Sequence, residues 1–129
     1  MNDHSHDHLD LIKSFLEDQK EIFESSDQAM YVFLDDDSRA CNEKFAKLLG
    51  YASAAEWMTT DTTNGFPTAF VAEKSHATLI STYQDAMERK VAATINVTWK
   101  KKQGGTVKTS VILLPILYQG HLLALHFVS

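Results

Sequence analysis

Cysteine is almost missing from this chain. A single Cys41 in 129 residues forbids an internal disulfide and suits a reducing compartment, so a cytoplasmic location is expected. Proline is nearly as scarce. Two prolines and five glycines leave no room for a long flexible linker. No apolar run approaches the ~20 residues of a membrane helix. The start, MNDHSHDH, is acidic and histidine-rich and does not read as a signal peptide. No direct membrane contact is expected. Positive charge is also short: 12 Lys and Arg stand against 17 Asp and Glu, a net charge of −5. That balance speaks against nucleic acid, whose phosphates need a basic face. The one basic cluster, Lys100-Lys101-Lys102, runs into Gln103-Gly104-Gly105 and reads as a solvated hairpin tip.

Catalytic patterns are missing as well. Ser75 and His76 are adjacent but diverge on a helix. There is no Gly-rich phosphate loop and no metalloprotease motif. Asp35-Asp36-Asp37 lacks the glycine and closing glutamate of a calcium loop. The chain is not expected to be an enzyme.

What remains suits one soluble domain with a core: 44% hydrophobic and 22% charged residues. Residues 1–8 read as a disordered tail, where alternating His4, His6 and His8 could grip a metal only if something ordered them. Residues 9–26 read as an amphipathic helix and its stop at Ser25-Ser26, with Leu9, Ile12, Leu16 and Phe23 in one row and Leu11, Phe15 and Ile22 beside it. Ala29–Leu34 and Ser38–Cys41 read as a hairpin across Asp35–Asp37. Asn42 is a helix N-cap, and Gly50 ends that helix in a left-handed residue. Ser53 caps a further turn with Glu56 three residues on. Thr59–Phe70 reads as irregular, broken by Gly65 and Pro67. A long helix follows over 71–90, then strands over 92–102, 106–117 and 121–128. This order predicts an α+β fold: a five-stranded antiparallel sheet with helices on one face and the N-terminal helix added.

The order and wording resemble the PAS domain family over residues 27–129. FLDDDSRACNEKFAKLLGY, Phe33–Tyr51, looks like the family's first hairpin, its asparagine and its "llGy". TWKKKQGGTVKTSVILLPI, Thr98–Ile116, looks like its "rkDG…pi" hairpin, with Gly104 where aspartate is usual. The resemblance implies a sensory, signal-transducing domain that binds a small molecule in an internal cavity, or mediates dimerisation, and passes its state to an output domain or to a partner in trans.

The resemblance also points to a haem-sensing variant, with His76 on the long helix as axial ligand to the iron. Against it, Asn96 stands where an oxygen-binding arginine would be. Flavin is disfavoured: the region that would carry a reactive cysteine reads TTDTTNGF, Thr59–Phe66, and Cys41 reads as a small buried residue. The cofactor is left unknown.

Strands 106–117 and 121–128 carry VILLPIL and LLALHF, without the alternation of a sheet that has one wet face. Both faces should be covered, one by helices and cavity, the other by the N-terminal helix of this chain or of a second copy. A homodimer through Leu9, Ile12, Phe15, Leu16 and Phe23 is therefore expected. Spacing against the family places Thr94 and Asn96 toward the cavity, with His76, Ile80, Tyr83, Ile112, Leu114 and Phe127 around them. Three readings stay open: a small-ligand sensor, which leads, a haem-based gas or redox sensor, and a ligand-free dimerisation module. The chain stops at Ser129, at the end of a strand, so it reads either as a fragment of a larger regulator or as a protein acting in trans.

Overall fold

The computed structural model describes the backbone of residues 4–34 and 38–129, and side chains from Asp10 onward outside 35–37. The expected turn Asp35–Asp37 and the first three residues of the expected tail lie outside the described residues. The elements run α1 (His4–Asp18), α2 (Lys20–Ser25), β1 (Ala29–Phe33), β2 (Arg39–Cys41), α3 (Glu43–Leu48), α4 (Ala54–Met58), α5 (Phe66–Phe70), α6 (Glu73–Arg89), β3 (Ala93–Lys100), β4 (Thr106–Tyr118) and β5 (His121–Val128). The strands make one antiparallel sheet in the order β2-β1-β5-β4-β3. It is the α+β architecture that the sequence predicts.

Alternation along the strands splits the sheet into two chemically different faces. Ala29, Tyr31, Ile95, Val97, Trp99, Val111 and Val128 share the inner face with α3, α4, α5 and the start of α6. Met30, Val32 and Leu123 share the outer face with α1 and α2. Each face therefore buries its own apolar set, which is why β4 and β5 look apolar throughout.

Three local expectations change. The first helix starts at His4, inside the stretch expected to be a tail, and breaks at Gln19 into α1 and α2. The stretch expected to be irregular contains α5, because Pro67 falls in the first turn, where proline costs no hydrogen bond. The third concerns the expected dimer surface. Ile12, Phe15 and Phe23 are fully buried by their own sheet, and Leu16 packs partly buried against the same cluster. Phe15 meets Tyr118 of β4 edge-on at 5.2 Å. The side chain of Leu9 lies outside the described residues. Those apolar side chains are spent within the chain because the outer sheet face offers them a nearer apolar partner than a second copy does.

Asn42 is the joint between the sheet and the helices. Its Oδ1 accepts from the Phe45 and Met30 amides, both at 3.1 Å, and its Nδ2 donates to the Gln28 carbonyl at 2.8 Å. One side chain thus caps α3 and pins β1. Gly50 ends the turn after α3 at φ +85°, and a Cβ there would collide with the Gln103 side chain. The hairpin tip at residues 100–105 is more than solvated. Lys102 N donates to the Leu49 carbonyl at 2.8 Å, Gln103 Nε2 to the Gly50 carbonyl at 2.9 Å, and Lys102 Nζ pairs with Glu56 at 2.8 Å. The tip clamps the α3–α4 junction. Arg39 holds α4 from below: its guanidinium lies about 5 Å from the Trp57 and Phe70 ring centres (5.0 and 4.9 Å) and donates to the Trp57 and Thr60 carbonyls.

Removing the joint leaves buried backbone groups without partners. Asn42→Ala is expected to lower unfolding free energy by about 2–3 kcal/mol in urea titration. A loss under about 0.5 kcal/mol contradicts the bracing role.

Candidate functional site

The inner face is filled with rings except at one place. Tyr31 touches the rings of Phe45, Trp57, Phe66 and Trp99 at centroid distances of 4.8 to 5.9 Å. Its other side stacks flat on His126, 3.9 Å away and tilted by 7°. Beyond that stack the packing stops, and a cavity of about 240 Å³ remains. Tyr31, Phe33 and His126 form its floor on the sheet. Gly65, Phe66 and Pro67 close one side. Leu79, Ile80, Tyr83 and Gln84 of α6 form the opposite wall. Phe33 is held edge-on by Phe66 at 5.1 Å and by Tyr83 at 5.6 Å. Ile80 is 41% exposed, so this wall opens toward solvent.

Among the described residues the lining is neutral: it holds no Asp, Glu, Lys or Arg. His126 is buried, and burial pushes its imidazole down to about 3, while the Ala124 and Tyr31 carbonyls hold back part of the fall. Its Nδ1 lies 3.1 Å from the Ala124 carbonyl. Burial, then the neighbouring Tyr83, pushes the Tyr31 phenol well up, so that it too stays uncharged. A charged guest would lose its hydration with no counter-charge to replace it, which is strongly unfavourable. The cavity suits a neutral molecule.

Size narrows the class further. An apolar cavity of about 150 Å³ holds benzene, and pockets for drug-sized ligands start near about 300 Å³. The volume here falls between them and fits a single ring with a small substituent. A porphyrin or a three-ring flavin does not fit.

Of the eight expected ligand residues, Ile80 and Tyr83 line the cavity. The other six do not. His76 is half-buried, and its Nε2 bonds the Val71 carbonyl at 2.7 Å, which ties down the start of α6. It does not reach the cavity, which removes the geometric basis for a haem ligand. Thr94, Asn96, Ile112, Leu114 and Phe127 are on the outer face. The register shows this directly: Thr94 pairs with Ile112, Ile112 with Phe127, and Phe127 with Met30 of the outer cluster. Leu114 pairs with Leu125, which pairs with Val32. The reason is parity. In β3, Ile95, Val97 and Trp99 compete with Thr94, Asn96 and Thr98 for the core side, and the bulkier apolar set takes it. Cys41 lies buried on β2, and burial, with Glu43 nearby, pushes its thiol up, so it is no thiolate nucleophile.

Sequence reasoning missed the other lining residues, Tyr31, Phe33, Gly65, Phe66, Pro67, Leu79, Gln84 and, with the most consequence for the chemistry, His126. The available signal for His126 was its place in LLALHF, Leu122–Phe127, where it alternates with Leu125 and Phe127 on a strand already known to be buried on both sides. Among the described residues no group of three or more His, Cys, Asp or Glu could hold a metal ion, and no helix is long and apolar enough to cross a membrane.

An unfolded histidine titrates near 6.5, and the folded His126 near 3. Acid therefore protonates the unfolded chain first. The stability from neutral burial is complete above about pH 6.5 and falls as the pH drops toward 3, by up to about 1.4 kcal/mol per pH unit. In urea titrations at pH 7.0, 6.0 and 5.0 the wild type should lose more stability than His126→Phe. Parallel slopes contradict the neutral buried state.

No family model matches the chain, and no curated protein matches it. Solved structures do. The chain is similar to the PAS domain of a protein from Colwellia psychrerythraea, at 18% identity over 89% of this chain and 95% of that one, with a TM-score of 0.69. It is similar to the LOV protein of Rhodobacter sphaeroides, at 12% identity over 91% of this chain and 66% of that one, TM-score 0.71. It is also similar to the fungal blue-light photoreceptor Vivid in its light-state dimer, at 21% identity over 79% of this chain and 76% of that one, TM-score 0.58.

Proposed function

We propose that this chain, which has the PAS fold, is a sensor domain that binds a small neutral molecule of about one ring in the cavity between α5, α6 and the inner sheet face. The observation that carries the reading is the place where ring packing stops. Tyr31 and His126 form a flat uncharged floor, and Tyr83 and Gln84 stand opposite with polar groups that can fix orientation. The role is binding rather than catalysis, in a reducing cytoplasm.

Transmission follows from strand geometry. His126 faces the cavity, while its chain neighbours Leu125 and Phe127 face outward. A guest that shifts His126 moves those two side chains in the same strand. Around Phe127 the outer face is incompletely covered: Ile112 is 49% exposed beside half-buried Leu114. A second copy covering this strip gives a homodimer whose geometry reads the cavity, and an output domain or partner in trans reads the dimer. The Vivid light-state dimer is a precedent for pairing within the fold.

Phenol and its neutral single-ring analogues are the test ligands. Phenol at saturation is expected to raise Tm by a few degrees in a thermal shift assay. Ile80→Trp fills the mouth of the cavity, and should abolish the shift while leaving the ligand-free Tm within about 2 °C. Absence of any shift across the panel rejects the ligand-sensor reading and leaves the ligand-free dimerisation module. Light scattering that reports a monomer at micromolar concentration rejects the dimer.

A further inference from the structure

Helix α6 carries its lining residues in pairs one turn apart. Leu79 and Ile80 face the cavity, Tyr83 and Gln84 follow a turn later, and Met87 and Glu88 a turn after that. Tyr83 and Gln84 belong to two spaces at once. Behind them they close the cavity, and in front they open a groove of about 570 Å³ between α6 and the β4–β5 hairpin. The groove floor is apolar where it leaves the cavity: Leu34, Met87 and Leu122 line it. Its far end is polar, at Glu88 and His121. The apolar surface continues past the groove, because Leu122 pairs across the hairpin with Leu117, which is 74% exposed.

We propose that the ligand is elongated: a neutral ring in the cavity bearing a short apolar tail that passes Tyr83 and lies in the groove against Met87 and Leu122. This rests on the cavity reading above and adds the class of molecule. The cavity cannot enclose more than one ring. It opens to solvent at Ile80, and on its other side it borders the groove across Tyr83 and Gln84, which line both spaces. Only a guest with a tail buries that groove's apolar surface, and the gain is lost where Glu88 and His121 begin. One helical turn from Tyr83 to Met87 is about 5 Å, the reach of roughly four carbons. Para-substituted alkylphenols reproduce this shape.

The test is calorimetric titration of phenol, 4-ethylphenol, 4-butylphenol and 4-hexylphenol into the wild type, Met87→Gln and Leu122→Gln. A fully buried methylene is worth about fourfold in affinity, and a groove that covers one side about twofold. Wild-type affinity should therefore rise about tenfold or more from phenol to 4-butylphenol, then level off at 4-hexylphenol. Either variant should bind phenol as the wild type does and lose most of the rise. Phenol binding with no dependence on chain length overturns the tail and leaves the cavity reading standing. A rise equally steep in both variants also overturns it, since the tail then lies elsewhere. No binding of any phenol overturns both readings together.

Discussion

The stack of Tyr31 on His126 is the constraint from which the rest of the inner face follows. Two neighbouring strands place a phenol and a neutral imidazole flat against each other in the middle of the sheet. On one side of Tyr31 the rings of Phe45, Trp57 and Trp99 pack edge-on or tilted and that of Phe66 packs stacked. On the His126 side no ring follows, and the cavity opens there. Burial makes both groups of the stack uncharged, so the place that could be polar is instead a neutral surface with hydrogen-bonding edges. The cavity is the edge of an aromatic core and not a separate construction.

Two clamps hold that arrangement in register. Asn42 joins β1 to α3 through three hydrogen bonds, and the β3–β4 tip reaches back to Leu49, Gly50 and Glu56. They act at opposite ends of α3: Asn42 caps its start, and the tip holds the turn into α4. Residues that look from sequence like a generic cap and a generic basic loop together fix one helix against the sheet. On the other side of the sheet, α1 covers β1 and the hairpin end of β4 and β5, and leaves Ile112 uncovered. The sheet therefore separates the cavity from the incompletely covered outer strip by the thickness of one strand.

Much of this was legible in the residues. The cap at Asn42, the left-handed Gly50, the Ser53–Glu56 turn, helix α6 and all five strands follow from local chemistry, and the PAS resemblance follows from their order. Of the site, only the α6 wall was legible. Ile80 and Tyr83 lie on a helix, where a 3.6-residue period tolerates small errors in alignment. Thr94, Asn96, Ile112, Leu114 and Phe127 lie on strands, where a slip of one residue reverses every side chain. Spacing borrowed from a family gave the wrong parity, while the chain's own alternation of Ile95, Val97 and Trp99 with threonine and asparagine gave the right one. His76 misled for a different reason: its imidazole finds the Val71 carbonyl a turn away, a local bond that no periodicity reveals. Ile12, Phe15 and Phe23 were correctly read as needing cover, but a stripe of apolar residues does not say whose surface supplies it.

The central claim is that the guest sits on the inner face, over the Tyr31–His126 floor. The most direct measurement is NMR of methyl-labelled protein saturated with phenol, recording intermolecular NOEs from the phenol ring protons. The account predicts cross-peaks to the methyls of Leu79 and Ile80 and none to those of Ile112 or Leu114. Cross-peaks to Ile112 and Leu114 with Leu79 and Ile80 silent would place the ligand on the opposite side of the sheet and contradict it.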